Sequence, residues 1–86
     1  MAEFNVLNLE VQIREMISVM TGLEKGEVMN DAHLFRELGV DSIKGVELSV
    51  AIQKKYGIRI DDSKIRELST VNLIIQEVTR LLKIVK

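Results

Sequence analysis

Apolar residues between positions 5 and 20 fall at Leu9, Ile13, Met16, Ile17 and Met20. That is the i, i+4, i+7, i+8, i+11 spacing of one helix face. Asn5 or Asn8 is placed to cap the start, and Thr21-Gly22 to stop it. Residues 22–41 keep no sustained period. Gly22, Gly26, Asn30-Asp31 and Gly39 punctuate them, while Val28, Leu34, Phe35 and Leu38 require burial. The pattern predicts a long loop pinned by apolar anchors, with a helical turn at 31–38. A loop of this length in a small domain is commonly functional. Helical spacing returns over 42–56, with Asp41 as N-cap and Gly57 as stop. "IRID", 58–61, reads as a short extended segment. "DSKIREL", 62–68, reads as one or two helical turns capped by Asp62 or Ser63. Thr70 caps a last helix whose stripe is Val71, Ile74, Ile75, Val78, Leu81, Leu82 and Val85, with Lys83 and Lys86 at the negative end of its dipole. The prediction is an all-α, small four-helix bundle: three main helices plus one short one, with a long loop between the first and second helices.

The second helix departs from a simple amphipathic pattern. At about 100° per residue, Ala51 and Ile52 fall within roughly 60° of Leu48, with Tyr56 slightly beyond. These form a core face. Ile43, Val46 and Val50 lie about 140–160° away on the same projection, with Lys54 on their side and Glu47 at the border. Val46 reads equally as covered by the loop or as exposed. Ile43 and Val50 are expected to stay partly exposed, as a docking patch beside charges.

Composition narrows the chemistry. With 86 residues, and no repeat, low-complexity tract or linker, the chain reads as one domain, 1–86. Its start and lack of linkers read as a free-standing chain. Aromatics are only 3% and Trp is absent, so the core must be aliphatic. Met16, Met20 and Met29 read as core filler. There is no Cys, which excludes thiolate metal sites and thiol catalysis by the chain itself, and a single His, His33, read as a loop residue rather than a ligand. No apolar run approaches the ~18 residues of a membrane span. "MAEFNVLNLE" lacks the basic-then-apolar order of a signal peptide, so a cytoplasmic, monomeric protein is expected. A net charge of −1 gives no bulk attraction to nucleic acid. The charge is uneven, however. Residues 1–40 hold seven acids against three bases, and residues 41–60 hold two acids against four bases. No nucleophile–base pair, metal-ligand spacing or phosphate-cradling glycine loop is present, so a non-catalytic role is expected.

"LGVDSIKGVEL" followed by "AIQKKYGIRI" resembles the acyl carrier proteins, the phosphopantetheine-attachment carrier family. Leu38-Gly39-Val40-Asp41-Ser42-Ile43 is similar to the family's attachment motif. Leu48, Ile52, Tyr56-Gly57 and Ile58–Ile60 match the family's pattern C-terminal to that motif, and "LSTVNLIIQEV" resembles the start of the last helix. The resemblance spans nearly the whole chain and is sharpest over 34–60. It implies a four-helix fold with a long first loop. It also implies that Ser42 carries 4′-phosphopantetheine, with Asp41 as part of the motif and as N-cap. A phosphopantetheinyl transferase takes the group from coenzyme A, using Mg²⁺ held by the transferase. Acyl-transferring, condensing and modifying enzymes are then the implied partners, with acyl groups held as thioesters. The acyl chain is implied to shelter within the bundle. No base adjoins Ser42, since Lys44 reads as a charged, solvated side chain. That suits a substrate of modification rather than a catalytic nucleophile.

The chain departs from the family in charge. Carriers of general fatty-acid synthesis have a strongly acidic second helix, whereas Lys44, Gln53, Lys54 and Lys55 occupy the corresponding positions here. Asp61 stands where the family often has Pro. "DSIK" is similar to carrier domains of polyketide and polyunsaturated fatty-acid synthases. Ile43, Lys44, Glu47, Val50 and Lys54 are the expected partner-docking residues, serving a fatty-acid, polyketide or related specialised lipid pathway. Lys54 and Lys55 read equally as cations favoured near a helix C-terminus. A peptidyl, aryl or alanyl carrier shares the Asp-Ser motif and stays open. So does an unmodified helical interaction module in which Asp41-Ser42 only caps.

Overall fold

The computed structural model describes residues 6–85, with backbone alone for Val6, Leu7, Asp62, Ile84 and Val85. It is all-helical. Three α-helices, α1 (Val6–Thr21), α2 (Ser42–Tyr56) and α3 (Val71–Val85), are joined by segments carrying 3₁₀ turns at Lys25–Glu27 and Asp62–Lys64. Among the described residues there is no strand. No helix among them is long and apolar enough to cross a membrane.

The stripe on α1 is buried as its spacing predicts. Leu9, Ile13 and Ile17 are almost fully enclosed, and Met16 and Met20 pack half-buried beside them. Asn8 does not cap this helix, because α1 already begins at Val6 and places Asn8 inside its first turn. Asn5 lies outside the described residues. At the other end Gly22 takes a positive φ of 78°, and Thr21 Oγ1 donates to the Ile17 carbonyl at 2.7 Å. The helix therefore stops at Thr21-Gly22.

The long loop is held by its apolar anchors. Val28, Leu34, Leu38 and Val40 are buried in the common core, with Phe35 partly buried against it. The Leu34 N–H donates to the Ser69 carbonyl at 2.7 Å, and the Asn72 N–H to the Asn30 carbonyl at 3.1 Å. These bonds tie the loop to the start of α3. The helical turn expected at 31–38 is present over residues 34–37. His33 caps it: Nδ1 accepts from the Arg36 N–H at 3.2 Å, and Glu37 Oε1 accepts from the His33 N–H at 2.7 Å. Met29 is 55% exposed and is not core filler. It sits between Val28, which turns inward, and the polar Asn30-Asp31 turn, so its side chain is left outside.

Beyond α2, Ile58 and Ile60 point inward while Arg59 between them is exposed. This is the alternation of an extended segment. Residues 62–68 do not form a short α-helix. One 3₁₀ turn at Asp62–Lys64 is followed by turns at 65–67. Its start is capped by Asp61, whose Oδ1 accepts from the N–H and the hydroxyl of Ser63, both at 3.0 Å. Ser63 is thus a donor to the cap, and Asp61 takes the role expected of Asp62 or Ser63. Those bonds also hold the Asp61 carboxyl below its ordinary pKa. Thr70 caps α3 as expected, its Oγ1 accepting from the Leu73 N–H at 3.2 Å. Val71, Ile74 and Val78 are buried. α1 packs against both α2 and α3. The Tyr56 hydroxyl donates to Gln12 Oε1 at 2.5 Å, bracing α2 on α1, and partial burial raises its pKa.

Candidate functional site

The start of α2 is where the long loop ends. Gly39, with φ of 74°, turns the chain, and Val40 then plugs into the core. Asp41 follows in extended geometry (φ −90°, ψ −177°), and its Oδ1 accepts from the Lys44 N–H at 2.8 Å. Its carbonyl accepts from the Gly45 N–H at 2.8 Å, the first bond of the helix. Asp41 is therefore the N-cap predicted for it. Ser42 is the first helical residue and is exposed. Among the described residues the N–H groups of Ser42 and Ile43 have no protein acceptor. A helix start with free N–H groups and the positive end of the dipole suits an anionic substituent.

The two sides of α2 differ as its apolar spacing predicts. Leu48 and Ile52 are buried and Ala51 and Tyr56 half-buried. On the other side Ile43 is 70% exposed, and Val46 and Val50 are exposed too. Val46, at 43% exposure, is not enclosed. Glu47 and Lys54 are exposed beside these residues, and Lys44 is half-buried. Its partial burial has a cause the sequence did not disclose. Lys44 lines a groove between α1 and α2 whose walls include Met16, Val19, Met20, Ala51 and Lys55. Val19, on the α1 side, is the most exposed large apolar residue among those described.

Among the described residues, the cations of α2 share the lack of an ion pair with Arg36, Arg59, Arg66 and Lys83. Arg14, Lys25, Lys64 and Arg80 each lie within ion-pair distance of a glutamate. Among the described residues, Lys44, Lys54 and Lys55 have no such partner. Lys54 and Lys55 lie in the last turn, where the dipole favours them.

Two residues of α2 escaped the sequence reading because neither is a large apolar side chain. Gly45 and Ser49 are buried. Ser49 Oγ accepts from Gln53 Nε2 at 3.0 Å, which satisfies part of its polarity. Their i, i+4 spacing beside Leu48 and Ile52 was the available signal: small residues on the core side mark close approach of another segment.

These residues lie inside a longer match. The family model described as the phosphopantetheine attachment site matches residues 11–78, well over half of the chain. The match takes in most of α1, the long loop, all of α2 and the first half of α3.

Proposed function

The chain belongs to the phosphopantetheine-attachment family, whose members bear 4′-phosphopantetheine covalently and work with a phosphopantetheinyl transferase and partner enzymes; on that premise we propose that it is an acyl carrier with Ser42 as the attachment site. The observation that carries this reading is the exposed Ser42 hydroxyl at the first position of α2, behind the Asp41 cap. In the modification, Ser42 Oγ forms a new P–O bond to the β-phosphorus of coenzyme A. The pyrophosphate bond to adenosine 3′,5′-bisphosphate breaks, and the serine proton passes to the transferase or to solvent. The bound group supplies the thiol on which acyl groups are held as thioesters. The chain has no Cys of its own to compete with that thiol.

What this chain's residues do is hold and present. Asp41 fixes the helix start by accepting from the Lys44 N–H, and the free N–H groups of Ser42 and Ile43 would favour an anionic linkage on Ser42. Ile43, Lys44, Glu47, Val50 and Lys54 form the docking side of α2. Its unpaired lysines favour partner enzymes with an acidic rim around an apolar contact, in place of the basic rim that an acidic carrier would need. Such partners belong to a fatty-acid, polyketide or related specialised lipid pathway. Acyl is preferred over peptidyl cargo on the Val40-Asp41 and "YGIRI" spellings and on the largely aliphatic lining of the interior beside α2.

The test is incubation with coenzyme A and a broad-specificity phosphopantetheinyl transferase, followed by intact mass. The wild type is expected to gain one prosthetic group and Ser42→Ala none. Failure of the wild type to gain mass contradicts the carrier reading, and a gain that survives in Ser42→Ala contradicts the site.

A further inference from the structure

Glycine is the least favourable helix former after proline, yet residue 45 sits in the first half of α2. Its backbone does not call for glycine, because its φ is not in the left-handed region, unlike that of Gly22, Gly39 and Gly57. The space around it does. A Cβ at residue 45 would lie 3.2 Å from Ile65 Cγ2 and 3.3 Å from Phe35 Cε1. Both distances are tighter than ordinary carbon–carbon contact.

Phe35, Gly45 and Ile65 border a hollow whose other walls include Val40, Leu48, Ile52 and Ile74. Its free volume is only about 20 Å³, room for roughly one water-sized sphere. Its lining is aliphatic and aromatic except for Ser49. Gly45 lies three residues after Ser42, less than one turn further into the helix and about 60° round its axis. Gly45 is therefore the buried residue of α2 nearest in sequence to Ser42. The two side chains opposite it stand on irregular backbone. Phe35 is half-buried on the His33-capped turn, in edge contact with the His33 ring at 5.9 Å, and Ile65 is on the turn after Asp62–Lys64. One rim is a helix without a side chain, and the other rims are side chains on turns that shift more easily than a helix.

We propose that Gly45 is a specificity-determining residue: with Phe35 and Ile65 it forms the entry by which an aliphatic chain carried on Ser42 reaches the interior, and its missing Cβ sets whether the chain enters. The proposal rests on the carrier reading and adds to it the residue that controls sheltering. Because the hollow has only about 20 Å³ of free volume, entry of an aliphatic chain requires Phe35 and Ile65 to move outward. A methyl group at residue 45 takes up the gap they would open.

The test loads wild type, Gly45→Ala and the double variant Phe35→Ala/Gly45→Ala with octanoyl-coenzyme A and a broad-specificity transferase, with intact mass checked first. Methyl NMR of Val40, Ile52 and Ile74 then compares octanoyl with unacylated arm-bearing protein, and hydroxylamine cleavage measures access to the thioester. In the wild type the three methyl groups are expected to shift. Cleavage there is expected to be slower than in Gly45→Ala by on the order of tenfold, as sheltering of about two methylenes would give. In Gly45→Ala the shifts vanish, and in the double variant, where the Phe35 ring no longer blocks the gap, they return. That rescue separates an entry from a merely packed glycine. Normal loading with unmoved core methyls in the wild type, or wild-type shifts and cleavage in Gly45→Ala, overturns the proposal while leaving the carrier reading intact. Absence of loading on Ser42 overturns both.

Discussion

α3 and α2 are the same length and differ in nearly everything else. α3 buries one stripe, Val71, Ile74 and Val78, to 2% exposure or less. Its outer side carries an ion-pair cluster, though Leu73 stays exposed: Arg80 meets Glu77 with Nε at 3.2 Å and Nη2 at 2.7 Å, and Lys64 adds a third contact at 3.6 Å. α2 buries a stripe that includes a glycine and a serine. It leaves Ile43, Val46 and Val50 in solvent, and its three lysines have no carboxylate partner among the described residues. The contrast teaches that α3 spends its apolar side chains mainly on the core, whereas α2 buries Leu48 and Ile52 and also keeps apolar surface exposed at the helix that begins with Ser42. A helix optimised only for the fold would not retain exposed aliphatics beside unpaired cations and a glycine in its interior.

The largest effect that should sharpen this contrast lies in α3. Ile74→Ala removes a fully enclosed side chain and is expected to lower stability by about 2–5 kcal/mol, read from urea unfolding. Val50→Ala on the outer side of α2 is expected to stay within about 0.5 kcal/mol of wild type. Equal losses for the two would break the contrast.

A middle-sized effect belongs to α2 alone. Lys44→Glu with Lys54→Glu places a carboxylate at the positive end of the helix and another near the negative end, so the dipole contributions offset and unfolding should hardly change. Productive encounter with an acyl-transferring or condensing partner should slow by about tenfold at low salt, with the gap narrowing as salt rises. Stopped-flow transfer kinetics at two ionic strengths measure it. Faster transfer by the double variant would mean that the partner rim is basic.

The smallest effect is a pH dependence in α3. Glu77 has a side chain only 11% exposed, and the hydrogen bonds from Arg80, with the charges of Arg80 and Lys64, hold its pKa below the ordinary 4.5. A carboxyl with a lowered folded-state pKa stabilises the fold above its unfolded pKa and loses that contribution as pH falls through the folded value. Glu77→Gln should therefore lower Tm at pH 7 and converge with wild type in strong acid, as followed by thermal melts across that range. A constant gap down to strong acid would assign the effect to packing rather than charge.

The three helices, and the ends set by Asp41, Gly57 and Thr70, were legible because periodicity over 15 or so residues and a capping side chain act locally. The exposed side of α2 was legible for the same reason. What was hidden depends on contacts between segments. Residues 62–68 have too few turns to sustain a helix without tertiary support and settle as one 3₁₀ turn held by Asp61. Met29 looked like core material by residue type but lies outside because its neighbour Val28 takes the inward place. Gly45 and Ser49 carry no hydrophobic signal, so their burial was visible only once Phe35 and Ile65 were seen against them. His33 showed no pattern that marks a cap, since that role depends on Glu37 reaching back to its N–H.

The central claim is that Ser42 bears the prosthetic group, and tryptic mapping of the loaded protein tests it most directly. Cleavage after Arg36 and Lys44 releases residues 37–44, in which Ser42 is the sole hydroxyl-bearing side chain. The account predicts that this peptide carries all of the added mass. Added mass on any other peptide, with residues 37–44 recovered unmodified, would contradict it.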